Sequence, residues 1–406
     1  MHRIDAPGNV ANQFVDPDAS IGQEGTICSA AWLNEVQEEL CTVIEANGGT
    51  PTKGQTGQVA AALQGRGFYR NRAMNGTMRV AQRIPLFTTR TFFGVSAQAG
   101  FVLDRWHCDP GDLGTCIIRH GDLDLLTHNG VDQAGLPLAQ GKIANYLIWD
   151  QTTTSGIVRQ PRLTQRLPDV RNLAGEEVTI SFYGRLAMAP DPGLNQFKFE
   201  IVQDFGTGGS PSSPVVYQSP TFEIAQVFTT WNRYSFTTTL GAMQGKAFGT
   251  NDDSFLKFGL VLGDGGETFT LHATGFQIEV GSAASAVEFV PFEVELLRCQ
   301  AFYQQSYTYT VEAGTVTEVG SRKVLEKGAT PYALDQRFRA EMARVPDVTW
   351  YSPSAGTVDR IDWNGSVETP AANVGVSRAS TGHPGATSHG ANADHVSAHW
   401  TAEAEF

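Results

Sequence analysis

Four of the nine histidines fall within the last 24 residues: His383, His389, His395 and His399. Clustered imidazoles can hold zinc, but spacings of six, six and four match no zinc signature. If 394–400 is a strand, His395 and His399 share a face yet stand ~13 Å apart, too far to chelate one ion. A threefold axis could bring three copies of one histidine together; otherwise these are surface residues of a strand. Carboxylates also come close in sequence, as Asp122 with Asp124, Asp252 with Asp253, and Glu176 with Glu177. Paired carboxylates cleave glycosides when they face each other across ~5–10 Å. Neighbours in a turn simply solvate the surface. The sequence holds no GxSxG, HExxH, Walker loop or dinucleotide fingerprint. These readings predict a protein that is not an enzyme, with no cofactor and no metal.

Aromatic rings offer a different chemistry, because sugars lay their C–H faces on Trp and Tyr. Trp350, Tyr351 and Trp363 lie near turn signals and are the candidate glycan-binding residues. Trp106, Trp149 and Trp231 lie inside strand patterns and are predicted to be core.

The elements that must position these residues are mostly strands. Period-two alternation places Ile143, Asn145, Leu147 and Trp149 on one face, then Ile180, Phe182 and Leu186. Phe197, Phe199 and Ile201 follow, then Leu256, Phe258, Leu260 and Leu262, and then Phe276, Ile278 and Val280. The turn formers at 263–266 separate two such runs. This predicts a two-sheet sandwich or jelly roll of about eight strands over roughly 95–285. The N-terminus differs. Residues 1–27 read as an extended arm, and a helix is expected from Ser29, a good N-cap. Leu33, Val36, Leu40 and Val43 form an a/d seam of about two heptads, with Asn47 at the next a position and Gly48–Gly49 as the stop. The seam suits either an ordinary helical hairpin or oligomerisation. A second short helix is expected from Thr56 to Gln64. After Pro291 a third carries Val294, Leu297 and Ala301 on one face. Shorter strand-like pieces (SYTYTV, DQRFRAEM, DVTWYS, TVDRIDW and HVSAHW) predict a smaller C-terminal β domain. The expected divisions are 1–70, an attachment arm and helical hairpin; 71–290, the jelly roll; 291–305, a linker helix; and 306–406, the C-terminal β domain.

Composition supports a mainly β chain and narrows its partners. Charged residues are only 17% of 406, while Gly (43), Pro (19) and Phe (23) are plentiful, which favours short strands and tight turns over helices. A net charge of −13 argues against nucleic-acid binding and against anionic membrane surfaces. No apolar run spans a bilayer and no secretory h-region is present, so neither membrane insertion nor signal-directed export is expected. The five cysteines, Cys28, Cys41, Cys108, Cys116 and Cys299, do not suggest a disulfide framework.

Several segments together resemble bacteriophage tail-fibre and related virion appendage proteins. GTICSAAWLNEVQEELCTVIEANGGTPTKGQTGQVAAAL at 25–63 is similar to the segment that joins such fibres to the particle. NRAMNGTMRVAQR with FVLDRW at 101–106 is similar to the opening of a fibre-associated jelly roll, although Ala81-Gln82-Arg83-Ile84 replaces its WQRG-like element. LAGEEVTISFYGR at 173–185, WNRYSFTTTL at 231–240 and GFQIEVGSAASAVEFVPFEVELLRCQAFYQ at 275–304 are like its carbohydrate-binding-module-type body and closing helix. HWTAEAEF resembles the terminal strand. The resemblance implies a homotrimeric tail fibre, assembled in the bacterial cytoplasm and carried on the virion. It would attach to tail or baseplate proteins through residues 1–70 and bind host surface polysaccharide during adsorption. The alternatives are a structural connector, collar or head decoration, and a polysaccharide depolymerase.

Overall fold

The computed structural model describes residues 3–45, 50–64, 70–83, 89–93, 100–101, 103–111, 115–122, 136, 143, 145–153, 160–186, 196–223, 230–263, 268–309, 311–325, 334–363, 367–384 and 395–405. Asn47–Gly49, Ile84, Asp124, the turn residues 264–266 and His389 lie outside them. The chain is mainly β, as its composition predicts.

Helix α1 (Ala30–Glu45) starts where Ser29 predicts: the Ser29 hydroxyl accepts the Trp32 N–H at 3.3 Å. Helix α2 (Gln58–Gln64) begins two residues after the expected Thr56 cap. Pro291 caps helix α3 (Phe292–Gln300), which follows it as expected, and Glu293 and Glu295 occupy the first turn.

The first sheet has six strands, β1 (Thr89–Phe93), β4 (Thr115–Asp122), β5 (Asn145–Thr153), β7 (Glu177–Leu186), β11 (Asn232–Thr239) and β13 (Phe269–Val280), in the order β1-β4-β5-β13-β7-β11. The second has seven, β2 (Gly100–Phe101), β3 (His107–Asp109), β6 (Arg162–Pro168), β8 (Gln196–Asp204), β9 (Val215–Gln218), β10 (Phe222–Glu223) and β12 (Phe255–Leu262). Every pairing is antiparallel, and the two inner faces share one hydrophobic core. Phe182 stands at its centre, with the rings of Phe276, Phe197, Phe199 and Tyr234 within 5.7 Å. The alternation therefore marks the inward face in most strands, but Ile143 belongs to the outer-face cluster with Trp231, and Val280, the last residue of β13, is 50% exposed. The pattern undercounts strands because short edge strands such as β2 and β10 carry too few residues to show a period. Trp106 and Trp149 are core as predicted, whereas Trp231 is buried on the outer face of the first sheet with Tyr146, Tyr183 and Val287.

The C-terminal sheet is organised on one long strand, β21 (His395–Glu403). β14 (Tyr303–Gln305) and β15 (Arg322–Leu325) pair with it, as do β16 (Asp347–Tyr351) and β17 (Arg360–Trp363); β18 (Val367–Pro370) extends β17. A small ribbon, β19 (Asn373–Val374) and β20 (His383–Pro384), completes the unit. DQRFRAEM is not a strand. Its Phe338 and Met342 pack on the core of this sheet from a crossing segment that meets 378–381 through one isolated bridge, Arg337 with Ser380, and a few backbone hydrogen bonds.

A buried ionic joint ties the jelly roll to the end of the chain. Arg105 is fully buried and pairs with Glu405, its guanidinium lying over the Phe302 ring at 3.4 Å. Arg83 reaches Glu403 at 3.0 Å and Glu405 at 3.3 Å and stacks on Tyr303 at 4.0 Å. Asp104, beside Arg105, accepts the Gln82 N–H and side-chain amide. Burial pushes its carboxyl above the usual range, against the pull of Arg83 and these hydrogen bonds.

Candidate functional site

Between β14 and β15 the chain leaves the edge of β21 at Ser306 and returns at Arg322, which leaves a notch beside Trp400. The crossing segment 336–339 forms the other wall of a cavity of about 270 Å³. Gly320 shapes its rim. At φ +89° the left-handed backbone suits glycine, and a Cβ there would stand 2.4 Å from the Ser306 carbonyl oxygen.

The floor is buried and its polar atoms are occupied. Gln304 donates to the carbonyls of Gln300 and Ala340, and its Oε1 accepts the Arg339 N–H. Gln305 donates to Val311 O and accepts from the Tyr303 hydroxyl. Ser306 Oγ accepts the Trp400 N–H at 2.9 Å and lies 2.9 Å from His399 Nδ1. The rim is different. Arg322, Arg337 and Arg339 are exposed, and among the described residues no carboxylate or carbonyl oxygen pairs with any of their guanidinium groups.

The Ser306–His399 contact has the spacing of a nucleophile and its base. Its surroundings make it a strand staple instead. The ring of His399 is fully buried and stacked on Tyr307 at 3.8 Å, with Nε2 donating to Thr317 O at 2.9 Å. Burial holds its pKa below the ordinary value, against that bond to Thr317. His399 is thus no surface-strand residue: its ring is covered by Tyr307 and held by Thr317. His383 and His395 are half-buried, and among the described residues no group of three or more His, Cys, Asp or Glu is arranged to hold a metal.

Two of the three aromatic candidates correct the sequence reading. Trp350 is 1% exposed and Trp363 4%, both in the core of the C-terminal sheet, with the Trp350 indole N–H donating to Asn373. Turn residues flank them, but their own strands turn those rings inward, so neither offers a face to a sugar. Tyr351 is half-buried against Tyr307. Among the described residues these carboxylate pairs form no catalytic couple: Asp253 accepts the Thr207 N–H and hydroxyl in a turn, and Glu176 and Glu177 stand where β7 begins, while Asp124 lies outside the described residues. All five cysteines are free, with Cys108 and Cys116 buried. In the seam, Leu33 and Leu40 are 50% and 46% exposed, while Val36 and Val43 are half-buried.

The notch was missed because DQRFRAEM reads as a strand. Its own alternation held the signal: Phe338 packs inward while Arg337 and Arg339, on either side, do not.

A second cavity, of about 340 Å³, lies against the ionic joint, lined by Phe101, Arg344, Asp347, Thr349, Glu403 and Glu405. Its carboxylates Glu403 and Glu405 are engaged by Arg83 and Arg105.

No family model and no curated protein matches this chain. Among solved structures it is similar to the CBM22-1 xylan-binding domain of Paenibacillus barcinonensis Xyn10C, at 16% identity, over 50% of this chain and 99% of that one, with a TM-score of 0.26. It is similar to the family 11 carbohydrate-binding module of Clostridium thermocellum in complex with a β-1,3-1,4-mixed-linked tetrasaccharide, at 11% identity, 48% and 96% coverage and a TM-score of 0.26. TmCBM61, in complex with β-1,4-galactotriose, matches at 10% identity, 52% and 99% coverage and a TM-score of 0.24.

Proposed function

We propose that this chain is a virion appendage of the tail-fibre type that binds host cell-surface glycan at the notch beside Trp400 and does not cleave it. The notch carries this reading: a shallow polar cavity held by a β-sheet, with a floor of satisfied hydrogen bonds that cannot relax and a rim of uncommitted donors. Sugars suit such sites because their hydroxyls need fixed partners more than depth. Weak contacts at each copy add up when several copies are displayed together. Retention of the purified full chain on bacterial surface polysaccharides, without release of reducing ends, is the expected result. No retention on any of them at any ionic strength would count against the reading.

The same proposal makes α1 the place where three copies associate and residues 1–70 the segment that docks on the particle. Leu33 and Leu40 leave half their surface open on one helix face, and Val10, Phe14, Ile21 and Ile27 of the arm are exposed as well. Two heptads are marginal alone, so a partner must cover them. Changing Leu33→Asp together with Leu40→Asp is expected to convert a trimer into a species of 43.8 kDa in sedimentation. A wild-type chain that already sediments as a monomer would refute the assembly.

A further inference from the structure

We infer that the notch selects saccharides bearing a carboxylate, a reading that rests on the glycan-binding proposal and narrows it. Arg322 lies at the start of β15, and Arg337 and Arg339 lie on the crossing wall, so three arginines from two separate segments line one small cavity. A guanidinium carries five N–H donors and no acceptor. These three have no acidic partner among the described residues, whereas Arg83, Arg105, Arg119, Arg171, Arg298 and Arg378 each pair with a carboxylate. In a chain of net charge −13, three unneutralised arginines at one mouth are a local reversal of sign.

The floor sharpens the choice. Gln304, Gln305 and Ser306 have spent their hydrogen bonds on the protein, so the arginines are the principal donors left for a ligand. The ligand must therefore bring acceptors, and the planar fork of arginine fits a carboxylate through two parallel bonds. The cavity, about 270 Å³, has room for about one sugar residue. A long polyanion such as nucleic acid is disfavoured by the acidity of the rest of the surface. Uronic and ulosonic acid residues of bacterial polysaccharides satisfy all of these conditions.

The test uses the intact chain with polygalacturonate, alginate, hyaluronate and polysialic acid, each beside its carboxyl-reduced form, and with inorganic phosphate alone. Calorimetry is expected to show binding to at least one acidic polymer. Carboxyl reduction should abolish it. The triple variant Arg322→Gln, Arg337→Gln, Arg339→Gln should weaken it at least about tenfold with the melting temperature unchanged. The single change Arg339→Lys, which keeps the charge and loses the fork, should retain part of it. Equal binding of acidic and carboxyl-reduced forms would overturn the acid selectivity and leave glycan binding standing. Acid binding that survives the triple variant would place the site elsewhere. Phosphate binding without any polymer binding would reduce the notch to a bare anion site. Binding of no probe would sink both readings.

Discussion

Replacing Glu405 by alanine is expected to lower the stability of the chain by about 3–5 kcal/mol, a large share of what a domain of this kind possesses. Glu405 is 4% exposed and Arg105 is fully buried, and the two are in direct contact. Arg105 also donates to Arg166 O and lies on the Phe302 ring, and burial pulls its pKa down to about 9, so it stays charged at neutral pH. Removing Glu405 would strand that charge, and Arg83 would lose its partner at 3.3 Å. The cost comes from the orphaned cation and not from the intrinsic worth of the pair. Joint replacement, Arg105→Met with Glu405→Leu, should therefore recover most of the loss. Urea midpoints followed by tryptophan fluorescence separate the two cases, because Trp350 and Trp400 lie in the sheet that Glu405 anchors. A single-variant loss below about 1 kcal/mol would show the joint to be hydrated and loose.

How much of this architecture was legible follows from what side-chain period can encode. Alternation at Ile180, Phe182 and Leu186, and again at Leu256, Phe258 and Leu260, predicts inward faces, and these residues are the sandwich core. Ser29 predicts the start of α1 because a cap is a local interaction between neighbours. Legibility fails wherever a contact joins distant segments. Arg105 and Glu405 are 300 residues apart, and nothing local marks either as buried. The inward turn of Trp350 and Trp363 depends on which side of β21 is covered, a fact of topology and not of spacing. The notch joins 304–306, 320–322 and 336–339 through β21, so no local pattern marks its arginines as neighbours.

The outer face of the first sheet yields the second large effect, a loss of stability on mild acidification. His272 on β13 is 6% exposed, its Nδ1 accepting from the guanidinium of Arg185 at 3.2 Å. Tyr146 lies against it at 5.0 Å and Trp231 at 6.2 Å, with Ile148 opposite in register on β5. Burial first, then the charges of Arg185 and Arg119, hold its pKa down to about 3 from an ordinary 6.5. The ring is neutral in the fold and protonates more readily when the chain unfolds. Stability is therefore complete above pH 6.5, falls as the pH drops below it, and stops falling on this account below about 3. At pH 4.5 the expected loss is about 2–3 kcal/mol. Glu200 on the second sheet answers in a lower window. Burial pushes its carboxyl up, but Lys257, Gln218 and Arg162 outweigh that and hold it below the ordinary 4.5, so its contribution fades only under more acidic conditions. His399 in the C-terminal sheet shares the direction of His272, and a variant is needed to assign the effect. His272→Asn should start from lower stability at pH 7.5, since the smaller amide gives up the imidazole's contacts with Tyr146 and Trp231, yet lose about 2 kcal/mol less than wild type between pH 7 and 4.5. Parallel pH profiles for variant and wild type would remove His272 from the acid response and show that water reaches the face between Arg185 and Tyr146.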